Sequence, residues 1–187
     1  MQTDLSSFSN PDFRRGASGL KEIAWYLVSS LFFRHSLALG KFPGFKAWLL
    51  RRFGAKVGKA VVIKPSVQIK FPWKLTIGDH SWIGEHVWID NLAPVTIGSN
   101  VCLSQGALLL TGNHDYKKPS FDLITQPIVL EDGVWIGARS VVCPGVTARS
   151  HAVLAVGSVA TKELEAYQVY QGVPAEKVRQ RVILKGS

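Results

Sequence analysis

The sequence predicts a mainly β fold: a parallel solenoid of short strands, three to a coil, with helical segments at the two ends. Three observations predict it. From Leu130 to Ala160 an aliphatic or small apolar residue returns every six positions (Leu130, Ile136, Val142, Ala148, Leu154, Ala160), and four positions after each of the first five stands another compact residue (Val134, Ser140, Val146, Ala152, Ser158). Upstream the same step runs in groups, Ile63 and Ile69, then Ile77, Ile83 and Ile89, then Ile97, Leu103 and Leu109. A step of eight between groups makes each coil 20 residues long, with Val57-Gly58, Ile77-Gly78 and Ile97-Gly98 as successive starts. Finally, the step from Leu109 to Leu130 is 21 residues, so the winding must be interrupted once.

A period of six fits neither the 3.6-residue helix nor an unbroken strand, but it fits short strands separated by corners. Residues one coil apart then stack about 4.8 Å above one another, and residues six apart lie on different faces. His80 and His86, six apart, are therefore not stacked partners. The 17 glycines suit a fold with many tight corners.

Residues 1–56 read as an N-terminal extended and helical basic segment. Residues 1–19 look like an extended leader with Arg14-Arg15-Gly16 as its charged cluster. Leu20, Ile23, Ala24, Leu27 and Leu31 mark a helix over 20–39, and Phe42 to Phe53 a second. The apolar stretch 24–33 is half of the roughly 20 residues that a bilayer span needs. These helices are expected either to cover the open edge of the solenoid or to anchor the protein on the inner membrane surface. Residues 57–164 form the solenoid, and 111–126, TGNHDYKKPSFDLITQ, leave it as an extruded loop; a long excursion from an economical repeat usually carries function. Residues 165–187 read as a polar connector and a short amphipathic helix through Val178, Val182 and Ile183.

At 187 residues and 47% hydrophobic content, the chain supports one sizeable domain. The net charge is +9, and residues 1–60 hold ten Lys/Arg against three Asp/Glu. That excess favours phosphate groups or an anionic membrane surface. Nucleic acid is not expected, because no binding module or aromatic-basic interleaving accompanies the charge. Cys102 and Cys143 read as reduced packing residues, and the first residues lack the basic start of a secretory signal, so a cytoplasmic location is expected.

His114 lies in the extruded loop. Imidazole is the side chain suited to take a proton from a hydroxyl or amine as that group attacks an electrophile, a contribution of about 10²- to 10⁴-fold. Asp115 is the neighbour expected to orient the ring. Asp90 and Asn91, in the corner one coil below the loop, are candidate partners for an acceptor's hydroxyls, and Trp88 is a candidate platform for its ring.

With these residues in place the chain resembles a known family. The I-G-x4 repeats, TGNHD in the loop, VWIGARSVVCPGVT, AVGSVATK and the closing GVPAEKVR resemble the hexapeptide-repeat acyltransferases. FGAKVGKAVVIKP and FPWKLTIGDHSWIGEHVWIDNLAPVTIGSNVCLSQGALLLTGNHDY are similar to the colanic acid biosynthesis acetyltransferase subgroup. The resemblance covers nearly the whole chain and is most specific over 53–175. It implies a left-handed parallel β-helix, a homotrimer, a site in the cleft between neighbouring coils, and acetyl transfer from acetyl-coenzyme A to a sugar hydroxyl, with no metal. His114 matches the catalytic histidine. Trp135, Gly137 and Ala138 match the segment along the pantetheine arm, whose backbone N–H groups are expected to bond it. Val156 and Gly157 match the next coil, Thr161 and Lys162 the turn near the nucleotide end, and Arg179 a tail arginine.

Related sugar acetyltransferases often carry Ser at the position of Ala138 and Arg at that of Glu176; Lys177 is the nearby cation expected to compensate. The implied acceptor is a sugar of an exopolysaccharide or cell-surface glycan, presented as a nucleotide sugar or a lipid-linked oligosaccharide. The alternatives are an N-acetyltransferase on an amino sugar and a non-catalytic scaffold of a membrane-surface polysaccharide assembly. The three-histidine metal enzymes of this fold carry a His-x4-His pattern that His35, His80, His86, His114 and His151 do not make.

Overall fold

The computed structural model describes residues 2–8, 10, 13–34 and 44–184. Its body is a three-faced parallel solenoid. The first coil is β1 (Lys56–Val57), β2 (Val62–Ile63) and β3 (Gln68–Ile69); the second is β4 (Leu75–Ile77), β5 (Trp82–Ile83) and β6 (Trp88–Asp90); the third is β7 (Val95–Ile97), β8 (Cys102–Leu103) and β9 (Leu108–Leu110). An antiparallel hairpin, β10 (Gly112–His114) and β11 (Leu123–Thr125), then leaves the coil. Winding resumes with β12 (Ile128–Leu130), β13 (Trp135–Ile136) and β14 (Val141–Val142), then β15 (Thr147–Ala148), β16 (Val153–Leu154) and β17 (Val159–Ala160). The first strand of each coil builds face one, the second face two and the third face three.

The register follows the repeat. Ile77, Ile97, Leu130 and Ala148 stack in one column, the 33-residue gap between the second and third holding the hairpin. These residues point inward and are buried, as are the compact Val134, Ser140, Val146, Ala152 and Ser158 at the corners. Each buried Ile or Leu contributes about 1.5–3 kcal/mol. The starts of the coils require glycine because the next coil passes so close: a methyl at Gly78 would lie 2.5–2.7 Å from the backbone of Gly98 and Ser99. His80 and His86 occupy different corners, both with left-handed backbone (φ 58° and 59°), as the repeat requires.

A first helix, α1 (Gly19–Ser29), continues into a π turn, Ser30–Arg34, and a second, α2, spans Phe45–Arg52. Ser18 caps α1 by accepting from Lys21 N. The far end of the first expected helix, the start of the second and His35 lie outside the described residues. Together the helices cap the edge of the first coil. Trp25 Nε1 donates to Ile69 O (2.8 Å) and Lys46 Nζ to Lys64 O (2.9 Å). Arg51 donates to Val57 O and Gly58 O (2.9 and 2.6 Å), and Phe33 O accepts from Ser66 N (2.8 Å). Strand groups that the later coils direct at one another are here satisfied by helix residues. Burial pushes the Lys46 ammonium below its usual range.

The C-terminal end corrects the sequence reading. In place of an amphipathic helix, β18 (Gln168–Gly172) adds a sixth layer to face two and β19 (Ala175–Gln180) folds back on it antiparallel. Gly172, at φ 106°, and Pro174 turn the chain where the helix was expected to start. The open edge of face two then pairs with the returning segment, and tertiary pairing outweighs a helical apolar spacing.

Arg149 joins Glu131 (3.1 Å) and Glu163 (3.0 Å) across two coils. Hydrogen bonds from the Ser150 hydroxyl and N–H, and from Arg149, hold the Glu131 carboxyl below its usual range. A carboxyl with a lowered folded-state pKa contributes stability above its unfolded pKa and loses it as pH falls through the folded value. Thermal stability is therefore expected to fall on acidification below the ordinary carboxylate range. Glu131→Gln should flatten that fall in a pH series of unfolding curves; an unchanged slope would remove the cluster from the acid response.

Candidate active site

The site is built from the one break in the winding. Thr111, buried where the hairpin leaves face three, donates its hydroxyl to Asp90 O (2.7 Å) and accepts from Ala93 N (3.0 Å). The hairpin root is thereby fixed to the corner of the preceding coil. His114 ends β10. Its Nδ1 lies 2.8 Å from Phe121 O, and its ring stacks on Phe121 at 4.4 Å and 10°. Since a carbonyl only accepts, Nδ1 carries the proton in the neutral ring and Nε2 keeps its lone pair. Phe8 also packs on the ring, tilted by 50° at 5.9 Å. At the hairpin tip Lys118 pairs with Asp122 (3.1 Å), and hydrogen bonds from Ser120 and Lys118 hold the Asp122 carboxyl below its usual range.

Several expected roles change. Asp115 does not orient His114: its Oδ1 accepts from Lys117 N (3.2 Å), as adjacent strand residues point apart, and the Phe121 carbonyl takes that place. Asn91 is fully buried and bonds both backbone groups of Phe71 (2.9 and 2.6 Å), so its amide fastens a corner and does not face an acceptor. Asp90 is buried beside Lys70 (3.1 Å). Trp88 is half-exposed and lines a pocket of about 340 Å³ with Tyr26, Arg34, Gln68 and Lys70.

The coenzyme candidates fall in three places. Trp135 lies on face two, its Nε1 donating to Ser104 Oγ (2.9 Å), and the chain runs from it into the corner between faces two and three. Gly137, Ala138, Val156 and Gly157 gather at that corner on adjacent coils, Gly157 N donating to Ala138 O (2.9 Å). The space beside Gly157 is open. Gly137 N–H, however, donates to Leu154 O (2.7 Å). It belongs to the ladder, and the expectation that it bonds the pantetheine arm is corrected. Thr161 and Lys162 are exposed at the other corner, between faces three and one, after β17. This is the corner from which the hairpin leaves, two coils or about 10 Å further along the axis. Arg179 stands exposed on β19, paired in register with Val169. Lys177, the expected substitute for an arginine at Glu176, instead pairs with Glu165 (2.9 Å). The two thiols, Cys102 and Cys143, are unpaired, and burial pushes both up.

Sequence reasoning missed the N-terminal strap. Asp4 N donates to Pro119 O (2.8 Å) and Asn10 Oδ1 accepts from Leu123 N (3.1 Å), which brings Phe8 to the histidine. Further along, Arg15 O accepts from Trp73 Nε1 (2.6 Å) and Arg14 O from Lys74 Nζ (2.6 Å). No periodicity announces these contacts.

No protein-family model matches the chain. The colanic acid biosynthesis acetyltransferase WcaF of Escherichia coli (strain K12), itself a provisional assignment, is 41% identical over 179 residues, 96% of this chain and 97% of that protein. Among solved structures, a hexapeptide-repeat containing acetyltransferase of Vibrio cholerae superposes with a TM-score of 0.75 at 28% identity, covering 88% of this chain and 94% of that one. The same acetyltransferase complexed with acetyl-coenzyme A gives a TM-score of 0.69 at 30% identity, over 74% and 77%. A galactoside acetyltransferase in complex with coenzyme A gives 0.75 at 25% identity, over 90% and 85%.

Proposed function

Because the chain belongs to the hexapeptide-repeat acetyltransferases, with acetyl-coenzyme A as the acyl donor, we propose that its acceptor is a sugar hydroxyl of an exopolysaccharide or related surface glycan. The observation that carries this reading is the fixed tautomer of His114, with Nδ1 held by the Phe121 carbonyl and Nε2 left to act as base. His114 Nε2 takes the acceptor's O–H proton as that oxygen attacks the thioester carbonyl. The C–S bond breaks, the new ester forms, and the imidazolium returns the proton to the leaving thiolate, with no covalent acetyl-enzyme.

The corner that gathers Ala138, Val156 and Gly157 and the corner that extends His114 are an edge of the triangle apart in one chain. That separation supports a homotrimer in which the hairpin of one subunit meets the coenzyme corner of the next. Lys162 and Arg179 are the exposed cations suited to the coenzyme's phosphates. The departure at Ala138 removes a side-chain hydroxyl and leaves the backbone of that corner to position the arm. The cytoplasm is the compartment that supplies the donor.

Two tests follow. Release of coenzyme A thiol from acetyl-coenzyme A should require a hydroxyl sugar, and release only with amino sugars would replace the acceptor class. Val156→Trp fills the exposed coenzyme corner, and His114→Ala removes the base; each alone should lose at least about 10²-fold in activity. Refolded together, they should regain roughly a quarter of wild-type activity, the fraction of randomly mixed neighbours that pair an intact histidine with an intact corner. Co-assembly without recovery would place the whole site within one chain.

A further inference from the structure

We propose that the outward face of α1 docks on an anionic lipid bilayer, an inference independent of the acetyl transfer above. The helix and the π turn that follows it bury one side against the solenoid and leave an apolar stripe on the opposite side. Glu22, Trp25, Ser29 and Phe33 face the solenoid and are buried. Leu20, Ile23, Leu27 and Leu31, spaced three and four apart, lie half a turn round and are 82%, 59%, 62% and 47% exposed. A helix that only caps a domain carries polar residues on that outer side. Here no charged residue stands between Glu22 and Arg34.

Exposed aromatic groups extend the stripe. Tyr26 flanks it, and a chain of ring contacts, Phe32 to Phe45 (5.4 Å) and Phe45 to Trp48 (5.9 Å), leads to exposed Trp48 on α2. Tyr and Trp are the side chains that favour the headgroup level of a bilayer. Among the described residues no helix is long and apolar enough to cross a membrane, so this one would lie in the plane of the surface.

Charge selects the occupant. The described residues 19–34 and 44–52 carry four cations that reach the surface (Lys21, Arg34, Arg51, Arg52), the buried Lys46 and one acid. That acid, Glu22, is buried in an ion pair with Arg15 (3.0 Å). Arg34, Arg51 and Arg52 are exposed; Arg34 shares a pocket with Tyr26, and Arg52 stands one helical turn from Trp48 on α2. A second copy brought to this face by a two-fold axis would place like charges together, whereas anionic headgroups neutralise them while the stripe leaves water. Docking there sets the N-terminal end of the solenoid against the bilayer.

The test is cosedimentation of the full chain with vesicles of phosphatidylglycerol and phosphatidylcholine, in a ratio of about 3:7, and of phosphatidylcholine alone. Wild type should sediment with the anionic vesicles at low salt, and binding should fall at least about tenfold in neutral vesicles or high salt. Ile23→Glu/Leu27→Glu, at exposed positions, should keep the wild-type melting temperature and bind at least about tenfold more weakly. Four results would each overturn the proposal: wild type left in the supernatant, equal binding to neutral vesicles, equal binding by the double variant, or a smaller assembly of the double variant in light scattering, which would show that another copy covers the stripe.

Discussion

His114→Ala is expected to lower turnover by about 10²- to 10⁴-fold while leaving the fold, and the KM for acetyl-coenzyme A to within about twofold, unchanged. The ring stands on an extruded hairpin, and its contacts are Phe121, Phe8 and one carbonyl, so its loss opens no cavity in the solenoid core. The residues at the coenzyme corner belong to other coils, so donor binding should not feel the change. Asp115→Asn separates this arrangement from a carboxylate-oriented imidazole. The Asp115 carboxylate accepts from Lys117 N and not from the ring, so the substitution should change turnover by less than about threefold. A loss with Asp115→Asn as large as with His114→Ala would mean that the carboxylate reaches the ring in the assembled enzyme. Undiminished turnover in His114→Ala would remove general-base catalysis by this histidine.

The solenoid was legible because its physics leaves few choices. A corner every six residues demands an apolar group inside at fixed intervals, and Ile77, Ile97 and Leu130 stack where the period puts them. The hairpin was legible for the converse reason, since a 21-residue step cannot be wound. Details that rest on backbone groups were not. Arg15 O and Pro119 O accept hydrogen bonds that a carbonyl of any residue offers, so nothing in the leader's composition marks it as a strap. Phe121 O replaces Asp115 for the same reason. The resemblance makes Gly137 an N–H donor to the coenzyme, yet the same close approach that requires glycine there engages its N–H with Leu154 O. At the C-terminus the apolar spacing of Val178, Val182 and Ile183 was real but did not decide the structure, because an open sheet edge was nearby. Asn91 resolves in the opposite direction from Trp88: both precede the hairpin's corner, but only the indole reaches solvent.

The largest stability effect is expected at Trp25. The indole is fully buried in the core, against Phe33 (5.3 Å) and Phe53 (5.2 Å), and its Nε1 caps Ile69 O, an edge carbonyl of the first coil. Truncation to Ala removes the packing, at about 3–5 kcal/mol. It also strands a carbonyl that has no earlier coil to bond, at about 1–3 kcal/mol more where water stays excluded. For a chain of this length each kcal/mol corresponds to about 2–4 °C, so the melting temperature should drop by about 10 °C or more. Trp25→Phe keeps most of the ring and loses the donor, and should fall by only the smaller part. Melting curves of the two variants at one protein concentration, which holds assembly effects fixed, divide packing from capping. Equal losses in both would assign the effect to the hydrogen bond, and a Trp25→Ala protein melting within about 2 °C of wild type would show that the helices are not what closes this end of the solenoid.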